Sequence, residues 1–255
     1  DYFSDIKENR ISAPILRNKK GISIIAIGEG CLNSCTFCGT KLARGNLRSY
    51  RIGDIKRNME EAVKEGCKII YLSSQDNGCY GFDIKTSLPE LLDELTTIEG
   101  DYQIRVGMMN PWHLTKILPE LINSFNSKKI MKFLHIPVQS GSEKILKHMK
   151  RMHTVENYRS AVKEFRKNFP DISIATDVIV GYPLETEEDF QLTYSLIKET
   201  KPEVFNISKF SPRPGTKATE LKQLSSEIIK ERSVILNGWY QEYRKELIQN
   251  KILTI

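Results

Sequence analysis

Six short apolar segments rich in β-branched residues alternate along this chain with six segments of helical period. The apolar segments are 22–28, 68–74, 103–109, 131–139, 172–181 and 204–211, each bounded by Gly, Pro, Asn or Ser. Continuous apolar runs suit strands covered on both faces of a parallel sheet. The intervening helices should bury Ile55, Met59, Ala62 and Val63, then Leu88, Leu91, Leu92, Leu95 and Ile98. A third, opened by Pro111, should carry Leu114, Ile117, Leu118, Leu121 and Phe125. A fourth follows Thr154 with Tyr158, Val162, Phe165 and Phe169. Thr186, followed by three acidic residues, is a good N-cap for a fifth, and the sixth runs over about 225–250. This order predicts an α/β fold, a six-stranded partial (β/α)6 TIM-like barrel two units short of closure. One domain is expected over 22–250, with a linker remnant at 1–21 and the start of a further C-terminal domain at 251–255.

Directly after the first strand stand Cys31, Cys35 and Cys38, spaced C-x3-C-x2-C. In barrels of this kind chemistry sits where strands end. Three thiolates are one short of the four that close a structural zinc site or saturate an iron–sulfur cluster. A cluster so held keeps one iron open to the amine and carboxylate of a small molecule, and can pass it an electron. Two other readings stay open: three legs of a zinc site completed by a distant His, or buried hydrophobes. Zinc ligands usually come as two separated pairs, and no His lies near this loop. Cys67, at a helix-to-strand junction, is expected in the core, and Cys79 in a loop bordering the site.

Five cysteines is an odd count and no secretory leader is in view, so reduced thiols and a cytoplasmic setting are expected. No apolar run approaches membrane length. The net charge of +6 permits a polyanionic partner without requiring one. The chain opens on Asp1 and stops at Ile255, so both ends are expected to be cut from something longer.

The other strand ends carry polar groups. Ser74 and Gln75 end the second strand and suit an amine and carboxylate, or simply a turn. Gln139 and Ser140 end the fourth; Arg151 beyond them is a bidentate carboxylate donor or a solvated charge between two short helices. Asp177 stands inside an apolar strand, where an unpaired carboxylate is costly, so a polar partner is expected. His135, also in a strand, reads as a satisfied core histidine. Lys209 and Arg213 mark the sixth strand end, Arg213 as a phosphate or base contact. From Lys41 to Arg57 six basic residues, Arg44, Arg48 and Arg51 among them, face one acidic residue. Such a run is a solvated face or a phosphate-binding one.

Several motifs in order carry a resemblance. They are Gly30-Cys31-Leu32-Asn33-Ser34-Cys35-Thr36-Phe37-Cys38, residues 133–142, Ala175-Thr176-Asp177-Val178-Ile179-Val180-Gly181-Tyr182-Pro183 and Ser211-Pro212-Arg213-Pro214-Gly215-Thr216. Over about 22–250 the chain resembles the central domain of radical S-adenosylmethionine (SAM) tRNA methylthiotransferases. Segments 43–47, 80–81 and 105–111 resemble the archaeal and eukaryotic branch, which acts on N6-threonylcarbamoyladenosine at tRNA position 37.

The resemblance implies that Cys31, Cys35 and Cys38 hold a catalytic [4Fe-4S] cluster. It implies that Ser74, Gln75, Gln139, Ser140, Arg151 and Asp177 bind SAM, with Phe37 and Ile179 near its adenine. Arg44, Arg48, Arg51, Lys209 and Arg213 would meet the anticodon loop. The implied reaction cleaves SAM by one electron, takes hydrogen from adenosine C2, inserts sulfur and methylates it from a second SAM. An electron donor and a sulfur source are therefore expected partners of a cytoplasmic monomer that makes no membrane contact. The family places a second [4Fe-4S] cluster in an N-terminal domain and RNA binding in a C-terminal β-barrel. Neither is seen here, so a catalytic core incomplete for the full reaction is expected. Leu184 departs from the family, which usually has Gly before this Glu-Thr pair. Alternatives are methylthiolation of isopentenyladenosine or of a ribosomal-protein aspartate, another radical SAM oxidase or lyase, and a non-catalytic RNA-binding module with a structural metal.

Overall fold

The computed structural model describes Ile11 and residues 21–249. Strands β1 (Ile22–Ala26), β2 (Ile69–Ser73) and β3 (Gln103–Val106) form a parallel sheet in that order, with Ile24 opposite Tyr71 and Tyr71 opposite Arg105. Strands β4 (Phe133–His135), β5 (Ser173–Val180) and β6 (Val204–Lys209) form a second, with Asp177 opposite Asn206. The expected α/β architecture and parallel strands are present, hydrogen-bonded as two sheets of three. Backbone pairing continues across the seam: Met131 N donates to Ile104 O at 2.9 Å and Met109 N to His135 O at 2.9 Å.

Two departures from the sequence reading have simple causes. Burial alternates along β1, with Ser23 and Ile25 buried but Ile24 60% exposed, so helices cover only one face of this strand. The run 131–139 yields only three strand residues. Pro137 lacks an N–H, and Gln139 takes a left-handed φ of 72° that ends the ladder.

The covering helices follow their apolar periods. After α1 (Thr40–Arg44), α2 (Ile52–Lys64) buries Ile55, Met59 and Ala62. α3 (Leu88–Thr96), capped by Ser87, buries Leu88, Leu91, Leu92 and Leu95. The third predicted helix is two, α4 (Pro111–Leu114) and α5 (Leu118–Phe125). Pro119 removes a helical N–H donor and is tolerated only in a first turn, so a new helix starts there. α6 (Glu143–His148) is capped by Ser142. α7 (Val155–Asn168) and α8 (Glu187–Thr200) begin at capping boxes of Thr154 with Asn157 and Thr186 with Asp189.

The last helix, α9 (Ser226–Gln249), packs along β6, where the Tyr240 hydroxyl donates to Glu203 O at 3.1 Å. It is pinned by Arg232 Nη1, 2.6 Å from Glu185 Oε2, both residues buried. Among the described residues no helix is long and apolar enough to cross a membrane. Of the segment read as a linker, Ile11 and Gly21 are described; Ile11 is buried, and its carbonyl accepts from Asn58 Nδ2 at 2.7 Å. The 251–255 segment lies outside the described residues.

Candidate cluster and cofactor site

The cysteine loop leaves β1 and returns through a two-residue antiparallel pair, Gly28 opposite Ser49 and Glu29 opposite Arg48. Gly30 starts it with a φ of +69°, and a Cβ there would lie 2.0 Å from Asn46 O, so only glycine fits. The middle of the loop is tied to distant elements. Thr36 N donates to Met149 O at 3.1 Å, Thr36 Oγ1 lies 2.8 Å from the Tyr182 hydroxyl, and Ala218 N donates to Thr36 O at 2.9 Å. Beneath it Ile145, Met149, Tyr182, Phe210 and Ala218 form an apolar cluster against which Phe37 and Ile179 pack.

Cys31, Cys35 and Cys38 are free, partly exposed, and line one cavity of about 360 Å³. Each sulfur faces a donor. Asn33 N and Nδ2 both lie 3.4 Å from Cys31 Sγ, Thr40 N lies 3.4 Å from Cys38 Sγ, and Arg151 Nη1 lies 3.7 Å from Cys35 Sγ. Burial pushes the Cys31 thiol up, so ligation of a cation would favour its thiolate. Ser74, Gln75, Gln139 and Arg151 complete the walls together with Phe37. Arg151 Nη2 donates to Pro137 O at 2.8 Å. The buried Arg151 Nε and Gln75 Oε1 have no hydrogen-bond partner. Polar side chains on a cavity wall, beside three convergent thiols, suit a polar ligand held next to a thiolate-bound metal.

A second cavity of about 290 Å³ shares Phe37, Cys38 and Gln139 with the first and adds Asp177, Ile179, Lys209 and Arg213. Asp177 has the expected polar partners: His135 Nε2 at 3.0 Å and Asn206 Nδ2 at 2.7 Å. Burial alone would raise its pKa; His135, Asn206 and Arg151 outweigh that and hold the carboxyl below its ordinary value. His135 is thus satisfied, but half-buried on the strand face rather than in the core.

Two groups of residues fall elsewhere. Ser140 is fully buried and lines neither cavity; its Oγ lies 3.3 Å from Thr193 Oγ1 on α8, because the left-handed turn at Gln139 sends the next side chain inward. Arg44, Arg48 and Arg51 line neither cavity, so they do not join Lys209 and Arg213 there. Arg44 is exposed at the end of α1, Arg48 lies over the Tyr50 ring at 5.9 Å, and Arg51 is the exposed N-cap of α2. Cys79 borders the site as expected but from below: it is fully buried, its Sγ 3.2 Å from the carbonyl of the cavity-lining Asp76, and burial pushes its thiol up. Cys67 is in the core as expected.

The sequence reading missed Asn33, Asp76, Met108 and Asn110, all on the first cavity wall. Met108 and Asn110 follow β3, the one early strand end given no role; its position at the rim was the available signal. Asp76 is 2% exposed and fully engaged: Oδ1 accepts from Gly78 N and Asn110 N at 3.0 Å each, Oδ2 from Asn33 Nδ2 at 2.9 Å. Asp76, Cys79 and His113 also come within 4.8 Å of one another. In this trio His113 Nδ1 lies buried 3.7 Å from Asp76 Oδ2 without a hydrogen-bond partner.

A family model described as the radical SAM superfamily matches residues 25–197. The chain is 50% identical over 229 residues to the "Probable threonylcarbamoyladenosine tRNA methylthiotransferase" of Pyrococcus horikoshii, covering 90% of this chain and 54% of that protein. It is 42% identical over 237 residues to the human threonylcarbamoyladenosine tRNA methylthiotransferase, covering 92% and 41% respectively. The chain thus spans about half the length of the curated relatives it matches. Among solved structures it resembles a radical SAM methyltransferase from Kitasatospora setae, with TM-score 0.65 and 15% identity over 78% of this chain and 36% of that one. Coproporphyrinogen III oxidase from Escherichia coli gives TM-score 0.63 and 15% identity over 87% and 52%. The three-cysteine loop at the end of the first strand, the parallel α/β scaffold around it and the match over most of the chain agree: this protein belongs to the radical SAM superfamily.

Proposed function

We propose that this chain is the radical SAM core of a methylthiotransferase acting on N6-threonylcarbamoyladenosine at position 37 of tRNA. The observation that carries the reading is the convergence of Cys31, Cys35 and Cys38 on one cavity whose wall also carries Ser74, Gln75 and Arg151. Identity of 40–50% to proteins named for that activity supports the substrate. We read the two sheets, joined at the β3–β4 seam, as one six-stranded partial barrel spanning residues 22–250, with the cavities at its mouth.

In this reading Cys31, Cys35 and Cys38 hold a [4Fe-4S] cluster, which when bound supplies one electron to SAM. Arg151, anchored on Pro137 O, presents its guanidinium to the SAM carboxylate, while Ser74 and Gln75 receive the amine. Phe37 and Ile179, packed on the apolar cluster, form a flat wall for the adenine in the second cavity. Asp177, held ionised by His135 and Asn206, accepts hydroxyl protons of the ribose. The two cavities share Phe37, Cys38 and Gln139, so one extended molecule can occupy both. The target base must leave the anticodon stack to reach this mouth. Lys209 and Arg213 stand at the rim, and Arg44, Arg48 and Arg51 offer phosphate contacts further out. Sulfur insertion would draw on a second cluster in another domain of the full-length protein. Five free cysteines suit the reducing cytoplasm.

The test is anaerobic reconstitution followed by iron analysis and product analysis. The chain should hold one four-iron cluster, lost in the Cys31→Ala, Cys35→Ala and Cys38→Ala variants and kept in Cys67→Ala and Cys79→Ala. It should cleave SAM reductively, yet form no methylthio product by itself. Iron that depends on Cys67, or methylthiolated RNA from these 255 residues alone, would overturn this assignment of parts.

A further inference from the structure

A second opening, larger than the cavity the cysteines face, lies beside the same loop. It is an open groove of about 780 Å³, and it shares Asn33 and Arg151 with the cluster cavity. Those two side chains are therefore the partition between groove and cluster. Arg151 Nη1 is 3.7 Å from Cys35 Sγ and Asn33 Nδ2 is 3.4 Å from Cys31 Sγ, so a group seated in the groove is one side chain away from two ligand sulfurs.

The lining has a mixed character. Leu32 and Met152 are 46% and 62% exposed, an apolar pair at the loop and after α6. Lys147 and Lys150 are exposed beside them. Glu143, the one carboxylate of the lining, accepts from Val155 N at 2.7 Å. Basic residues around an exposed apolar centre suit a protein partner of negative charge, since steering needs the charge and close contact needs the apolar area.

We propose that this groove docks an acidic one-electron carrier protein that reduces the cluster from behind. The inference rests on the radical SAM reading above, which requires an electron but does not say where it enters. The carrier loses one electron and the cluster gains it; no bond is made or broken and no proton moves. Entry from this side leaves the SAM cavities free, because only Asn33 and Arg151 of the groove also line the cluster cavity and none of it lines the second.

The test uses the full-length, cluster-loaded protein, with a reduced ferredoxin of net negative charge as probe and dithionite as control. Lys147→Glu with Lys150→Glu should weaken carrier binding and slow cluster reduction by the carrier at least about tenfold at low ionic strength, and flatten its salt dependence. Reduction by dithionite and iron content should not change. Met152→Ser should weaken carrier binding without altering the salt dependence. An unchanged carrier rate, or equal slowing with dithionite, would overturn the proposal. Lost tRNA affinity with normal carrier binding would assign the lysines to RNA and overturn it likewise. A wild-type protein without a reducible cluster would defeat the proposed function itself, whereas a reducible cluster indifferent to these variants defeats only this inference.

Discussion

Asn33 Nδ2 bridges two groups of different chemistry, lying 2.9 Å from Asp76 Oδ2 and 3.4 Å from Cys31 Sγ. A buried carboxylate just beyond β2 thereby orients the amide that faces the Cys31 sulfur. Asp76→Ala leaves the N–H groups of Gly78 and Asn110 unsatisfied, each costing about 1–3 kcal/mol. Chemical denaturation of the metal-free chain should show that loss, and reconstituted Asp76→Ala should retain less iron than wild type. Asp76→Asn keeps one acceptor oxygen and should lose less. An alanine variant as stable as wild type would remove Asp76 from this role.

Leu184 has a φ of 73° and is 42% exposed. A left-handed conformation costs a residue with a Cβ about 1–2 kcal/mol. Glycine avoids that but adds roughly 0.4–1 kcal/mol of unfolded-state entropy. Leu184→Gly should therefore stabilise the chain by up to about 1 kcal/mol, read as a higher denaturation midpoint at unchanged slope. A lower midpoint would mean that the Leu184 side chain contributes more than its backbone costs.

The Glu185–Arg232 pair is buried, and Glu185 also accepts from Gly181 N at 2.8 Å. Removing one partner strands the other charge, so Arg232→Met should cost about 3–5 kcal/mol. Adding Glu185→Gln should recover part of it, because the amide oxygen still serves Gly181 N. Two losses that simply add would show that the two residues act separately.

His153 is buried with Nε2 3.2 Å from Val138 O, and burial together with Arg151 lowers its pKa to about 3. The unfolded chain takes up this proton below about pH 6.5 and the folded chain does not. Stability from this group is therefore complete above pH 6.5 and declines as pH falls toward 3, by at most about 1.4 kcal/mol per pH unit. Urea midpoints of the metal-free chain should fall between pH 7 and pH 5, and more shallowly in His153→Gln. Parallel profiles would show that His153 is protonated in place.

Arg44, Arg48 and Arg51 lie outside both cavities, so replacing all three with Gln should spare iron content and SAM cleavage. In the full-length protein the triple variant should bind tRNA more weakly with a flatter salt slope. Each lost phosphate contact removes about 0.7–0.9 from that slope. Equal affinity and slope would return these arginines to a solvated face.

What the sequence disclosed follows from how local each signal is. Strand segments, the cap at Thr186 and the cysteine spacing are written in adjacent residues, and they are found in place except for the 131–139 run, shortened to three strand residues. Direction after a chain reversal is not. Gln139 and Ser140 are neighbours at one strand end, yet a left-handed turn sends one into the cavity and the other against Thr193. Asp76 was missed because its partners, Asn33 and Asn110, are far away in sequence. The break before α5 was readable from Pro119 and was overridden by the apolar period.

The ties on Thr36 bear on the order in which the protein is made. Cys31, Cys35 and Cys38 are made well before the residues that secure the carbonyl and hydroxyl between them, Ala218 and Tyr182. Until some 180 further residues have emerged, the three thiols sit on a strap with one end loose. A truncation anywhere before Ala218 should therefore yield a chain that has the three thiols but lacks one of the ties that hold their loop.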